Sequence, residues 1–143
     1  MEPEGETRVA IVPGSMKKLH KAGFEVMIES GAGMAANYSD VDYSDAGATV
    51  STRSDVMACE ILISIRLPDI GELSKGQIVA CVADPFRHPG KIQECIDGGI
   101  TLMSMDMIPR RLSRAQSMDV NSSQDNLAGY KAVLLGAAHV PRG

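Results

Sequence analysis

Apolar positions along the chain change period several times, and each change marks an element. Residues 24–29 alternate apolar and polar side chains and predict a strand. Residues 61–65 and 77–83 are nearly continuous apolar runs, as in strands buried on both faces, with Pro68 and Pro85 ending them. A short strand at 48–51 and a last one at 100–106 bring the predicted strands to five. Helical spacing falls between them. Pro13, Gly14 and Ser15 can open a helix with Met16, Leu19 and His20 on one side and Lys17, Lys18 and Lys21 on the other, ended by Gly23. Ser39 or Asp40 can cap a short helix through Asp45, closed by Gly47. Residues 55–59 predict one helical turn, 69–73 at most a turn, and 90–96 a helix before Gly98 and Gly99. A long helix runs from Ser122 to about His139, and Pro141 cannot continue a helix interior. Strands alternating with short helices define an α/β chain: a parallel sheet with flanking helices, flavodoxin-like or Rossmann-like in broad class.

A chain of 143 residues supports one core, burying ~70% of its unfolded surface. The net charge of −4 and the 3% aromatic content exclude nucleic acid as an expected partner. Cys59, Cys81 and Cys95 are odd in number and set in apolar runs, which fits reduced thiols and a cytoplasmic setting. No apolar run approaches the ~18 residues of a membrane span, and the acidic start lacks the basic opening of a signal peptide. The expectation is no direct membrane insertion, with any membrane attachment supplied by another polypeptide.

Several candidate sites are weak. Gly31, Gly33 and Ala36 match the G-x-G-x-x-A outline of a dinucleotide fingerprint, but Asn37 to Asp40 intervene where a helix should open, so a structural turn is expected. Asp40, Asp42 and Asp45 lack the central glycine and terminal glutamate of a calcium loop. The histidines and cysteines show no metal-ligand spacing, so no metal is expected, and Met103, Met105 and Met107 have strand period and read as packing.

Chemistry concentrates in residues 109–124, a strand-to-helix connection of the kind that carries sites on such scaffolds. It holds Arg110, Arg111 and Arg114, the carboxylate of Asp119, the amide of Gln116 and several small hydroxyls. That inventory suits a charged, hydrogen-bonding ligand, or equally a solvated loop whose Arg and Asp pair with each other.

The run from Pro109 through Asp119, continued by Ser122-Ser123-Gln124 and residues 126–133, resembles the NAD(H)-binding component (alpha subunit, domain I) of proton-translocating nicotinamide nucleotide transhydrogenase, within the alanine dehydrogenase/transhydrogenase N-terminal family. Glu6-Thr7-Arg8-Val9-Ala10, Gly23-Phe24-Glu25-Val26 and Glu29-Ser30-Gly31-Ala32-Gly33 agree, in the family's order. The resemblance covers nearly the whole chain but only the first part of the family's domain. It implies a subdomain over residues 1–121 and, from 122 to 143, the start of a helix leading toward a nucleotide-binding half.

In the resembled enzyme hydride passes from NADH on this component to NADP⁺ on a separate one, coupled to proton movement by a membrane component. No protein acid or base is needed, so no catalytic residue is expected; the protein's work is positioning. Carried over, Arg111, Gln116, Asp119 and Ser122 orient the nicotinamide end, with Arg114 a weaker candidate. Gln116 can donate and accept, Arg111 can fork to oxygen acceptors or hold Asp119, and Ser122 can anchor the carboxamide. The implied partners are a second copy in a homodimer and the membrane and NADP-binding components, with the chain peripheral to the membrane through them.

Two departures stand out. Residues 1–7 resemble the turn after the family's first, central strand, and that strand is missing unless Val9 to Val12 substitute or a partner donates one. The second half, with its glycine-rich turn, is also missing, so the chain by itself is expected to be incomplete. Two alternatives remain: an alanine-dehydrogenase-like enzyme, for which Arg8 would hold a substrate carboxylate but Arg66 and Asp84 stand where a lysine and a histidine are needed, or a non-catalytic interaction module.

Overall fold

The computed structural model describes residues 5–140. The chain divides into two compact units, Met1–Ser104 and Met105–Gly143. The division precedes the expected boundary at 121/122, which falls inside the last helix. The expected stop at Pro141 lies outside the described residues.

The first unit opens with a 3-10 turn at Pro13–Ser15 that runs into α1 (Met16–Lys21). β1 (Met27–Glu29), α2 (Asp40–Asp45), β2 (Thr49–Ser51), α3 (Arg53–Met57), β3 (Ile61–Arg66), β4 (Ile78–Val82), α4 (Pro89–Asp97) and β5 (Thr101–Ser104) follow. β1 pairs parallel with β2, and β3, β4 and β5 form a second parallel sheet in that order. The parallel α/β class therefore stands. Val9 to Val12 form no strand, and among the described residues no strand joins β1 to β3.

Helix starts follow their caps. Ser39 and Asp42 make reciprocal side-chain-to-backbone bonds at the head of α2, so of the two expected caps, Ser39 and Asp40, it is Ser39 that serves. Thr52 and Asp55 do the same for α3, so this helix begins at Arg53 rather than at 55. The strand expected over 24–29 is shortened to Met27–Glu29, because only those residues pair with β2.

Two clusters make the core. Met16, Ile28, Tyr43 and Ala48 pack under the two-stranded sheet, and Leu62, Val79, Cys81 and Ala83 under the three-stranded one. Tyr43 is fully buried, and its hydroxyl donates to the Ile11 carbonyl at 2.8 Å, so the ring keeps its polar end satisfied. Burial holds the phenol above its ordinary pKa. Gln77 is the one buried polar side chain among the described residues. It donates to the Met57 and Cys59 carbonyls, each at 2.7 Å, and accepts from the Ser74 amide at 2.6 Å. Cys81 and Cys95 are buried and in no disulfide, and burial pushes Cys95 up in pKa.

In the second unit a 3-10 turn at Met105–Met107 follows β5, another covers Gln116–Met118, and α5 spans Val120–His139. No helix among the described residues is long and apolar enough to cross a membrane.

Candidate functional site

The loop at 109–119 is built around one carboxylate. Asp119 is the N-cap of α5, accepting from the Ser122 amide at 3.0 Å and the Ser122 hydroxyl at 2.6 Å. Its negative charge sits where the helix presents unpaired N–H groups and the positive end of its dipole. Those two bonds, with help from Arg110, hold the carboxyl below its ordinary pKa. Arg110 Nε lies 3.5 Å from Asp119, and its Nη2 lies 3.5 Å from Asp125 one turn along the helix. Asn121 Nδ2 donates to the Asp106 carbonyl at 3.1 Å, tying the start of α5 to the turn after β5. Ala115, 4% exposed, is the buried anchor of the loop.

The expected residues fall into two groups. Asp119 and Ser122 are joined, Ser122 spending its proton on the carboxylate and leaving oxygen lone pairs to accept. Arg111, Arg114 and Gln116 are exposed, and Arg111 and Arg114 enter no ion pair among the described residues. Arg110, not Arg111, lies against Asp119. Sequence reasoning passed over Arg110 and Asn121 as positioning residues. The signal was present in Asp119 itself: an acid just before a helical run is an N-cap, and an N-cap carboxylate attracts a neighbouring arginine.

Other candidates resolve more simply. Gly31 donates its amide to Asp40 Oδ1 at 2.8 Å and Ser30 its hydroxyl to Oδ2 at 2.7 Å, so a carboxylate already fills the place a phosphate would take. The next element is one 3-10 turn, Met34–Ala36, closed by Asn37 with φ of 63°. At Gly33 a Cβ would sit 2.6 Å from the Tyr43 ring, so the glycine serves packing. Arg8 pairs with Glu6 through two bonds of 2.7 and 2.6 Å. Arg66 ends β3, and Asp84, with φ of 48°, follows β4 and pairs with Arg87 at 3.5 Å.

A parallel α/β unit followed by a capped, arginine-bearing strand-to-helix loop belongs to the Rossmann-like class of domains. Within that class the chain belongs to the alanine dehydrogenase/PNT N-terminal domain family, whose model matches residues 2–128. It is 40% identical over 136 residues, 92% of its length, to the NAD(P) transhydrogenase subunit alpha of Cereibacter sphaeroides, covering 26% of that protein. It superposes on the crystal structure of transhydrogenase from Sinorhizobium meliloti with a TM-score of 0.92 at 38% identity, over 99% of this chain and 43% of that one. An L-alanine dehydrogenase structure matches less well, with a TM-score of 0.72 at 25% identity over 80% of this chain and 32% of that one. The chain thus spans a quarter to under half the length of these relatives.

Proposed function

We propose that this chain forms the nicotinamide-facing part of the NAD(H)-binding component of a proton-translocating transhydrogenase. The observation that carries this is the division of labour in the 109–122 loop: Asp119, Ser122 and Arg110 fix its backbone at the head of α5, leaving Arg111, Gln116 and Arg114 exposed. The donor set suits the cofactor. An amide that donates and accepts matches a carboxamide, and a guanidinium matches ribose or phosphate oxygens. NAD(H) supplies hydride chemistry, and NADP(H) on a separate component is the other party to it. In this reading Gln116 and Arg111 bind, Ser122 accepts from the carboxamide, and Asp119 positions the other three through the helix start.

Assembly is part of the same reading: a second copy of the chain, and membrane and NADP-binding components that hold it at the cytoplasmic face of a membrane. α5 supports this, since none of its residues is buried and Leu127, Val133, Leu134 and Leu135 are uncovered, a surface another protein can bury. The alanine-dehydrogenase reading is less favoured, because Arg66 and Asp84 stand at the ends of β3 and β4 in place of a lysine and a histidine.

The test joins this chain to the remaining part of the Cereibacter sphaeroides subunit and measures hydride exchange from NADH to an NADP⁺ analogue in the presence of the NADP-binding component. Gln116→Ala and Arg111→Ala should each lower the rate by about 10- to 100-fold, the scale of a nicotinamide misplaced by about 1 Å. Unchanged rates in both would sink the assignment. Pyruvate-dependent NADH oxidation instead would favour the dehydrogenase.

A further inference from the structure

Most serines between residues 109 and 123 have their hydroxyls engaged. Ser117 donates to the Arg114 carbonyl at 3.3 Å, Ser122 to the Asp119 carboxylate at 2.6 Å and Ser123 to the Asp119 carbonyl at 3.2 Å. Ser113 differs: it is exposed, and its hydroxyl makes no hydrogen bond among the described residues. It follows Arg110, Arg111 and Leu112, so two guanidiniums stand three and two residues before an unengaged hydroxyl. Arginine-directed serine kinases select this spacing by charge, because planar cations fork to carboxylates in the kinase groove while the hydroxyl reaches the nucleotide. Neither arginine is locked away. Arg111 is exposed and in no ion pair among the described residues. Arg110, 53% exposed on its side chain, lies 3.5 Å from both Asp119 and Asp125, and exposed pairs of that kind open at little cost. The turn is closed by short-range bonds, from the Leu112 amide to the Pro109 carbonyl at 3.3 Å and from the Ala115 amide to the Leu112 carbonyl at 2.8 Å. Drawing it into a groove therefore unpairs no strand.

We propose that Ser113 is a phosphorylation site for an arginine-directed serine/threonine kinase and that the modification weakens nucleotide binding by this loop; the second half rests on the NAD(H) reading above. The Ser113 oxygen attacks the γ-phosphorus of ATP, and the bond from that phosphorus to the β,γ-bridging oxygen breaks. ADP leaves, and the hydroxyl proton passes to the kinase's catalytic carboxylate. The product carries about −1.5 to −2 charge at pH 7 and three strong acceptor oxygens. Close to it in the chain are Arg111 and Arg114, exposed guanidiniums that no carboxylate occupies among the described residues. A phosphate dianion beside them competes for both by forked, charge-assisted bonds. It also repels the anionic dinucleotide that the same guanidiniums otherwise hold. The Asp119–Ser122 cap is untouched, so the loop keeps its fixed end while its free cations are neutralised.

The probe is the catalytic subunit of cyclic-AMP-dependent protein kinase with ATP, applied to the chain after circular dichroism has shown it folded. Phosphate should enter at Ser113, mapped by fragment mass, and Ser113→Ala should take none there. Arg111→Ala should slow incorporation at least about tenfold, as the loss of a forked charge-assisted contact does. In the joined protein, phosphorylation should weaken NADH binding at least about tenfold, the scale of one lost bond to a charged group. Kinase-treated Ser113→Ala should keep the parent affinity. No incorporation, incorporation elsewhere with Ser113 bare, or labelling of Arg111→Ala at the parent rate overturns the proposal. So does a phosphorylated joined protein that binds NADH as the parent does. If Arg111→Ala still weakens NADH binding in that case, the switch alone has failed. If Arg111→Ala changes nothing either, the nucleotide reading of the loop has failed with it.

Discussion

Asp119 takes both the backbone amide and the hydroxyl of Ser122, at 3.0 and 2.6 Å, so the loop and the first turn of α5 hang on a single carboxylate. Those bonds, with the Arg110 charge behind them, hold its pKa below the ordinary 3.8. A depressed carboxylate stabilises the folded form above its unfolded value, and that contribution disappears as pH falls through the lower, folded one. Asp119→Ala should therefore speed amide exchange at residues 120–123 roughly five-fold at pH 7. The difference between parent and variant should shrink as pH drops below 3.8. Equal exchange at neutral pH would mean that the cap is not what holds the helix start.

Much of this was readable beforehand, for physical reasons. The strands at 61–66 and 78–82 are buried apolar runs ended by proline, and period alone finds them. The cap at Ser39 is likewise a local pattern. What escaped depends on partners distant in sequence. That Arg110, rather than Arg111, reaches Asp119 is a matter of loop geometry, nine residues apart with no fixed period between them. The role of Gln77, which binds the end of α3 to the start of β4, rests on carbonyls 18 and 20 residues upstream. The division into two sheets was, by contrast, expected, since Val9 to Val12 had to substitute for a central strand and form none.

The Gly31 turn can be separated from nucleotide binding by one substitution. A methyl group on Gly33 would meet the Tyr43 ring at 2.6 Å and the Tyr38 carbonyl at 2.8 Å, and both neighbours are held by the core. Gly33→Ala should cost about 1 to 3 kcal/mol by overpacking, read as a lower urea midpoint. NADH affinity of the joined protein should be unchanged under conditions where the variant is folded. A selective loss of NADH binding with little loss of stability would return the turn to the list of nucleotide sites.

Gln77 offers a sharper test of the core. Its side chain satisfies two carbonyls and one amide in a region closed to water, and no partner there is idle. Gln77→Leu keeps the approximate volume but strands all three groups, so it should cost about 2 to 4 kcal/mol, with Gln77→Glu intermediate because it retains the acceptor. Thermal unfolding of the three proteins checks this order. A leucine variant as stable as the parent would show that the three backbone groups find water instead.

Glu6 makes the acid stability of the first unit measurable. Its carboxylate accepts from the Arg8 side chain and backbone, with the Arg66 charge nearby, and its pKa falls from 4.5 to about 2. The sign is that of any depressed carboxylate: the pair is fully stabilising above 4.5, and its contribution is lost as pH falls from there toward about 2. Arg8 is 43% exposed on its side chain, so solvent screens the pair. Glu6→Gln should then cost only roughly 1 kcal/mol at pH 7. Urea midpoints of parent and variant should converge between pH 4.5 and about 2, since protonating Glu6 does to the parent what the substitution does to the variant. Curves that stay parallel across that window would show that the Glu6–Arg8 pair contributes nothing to folding.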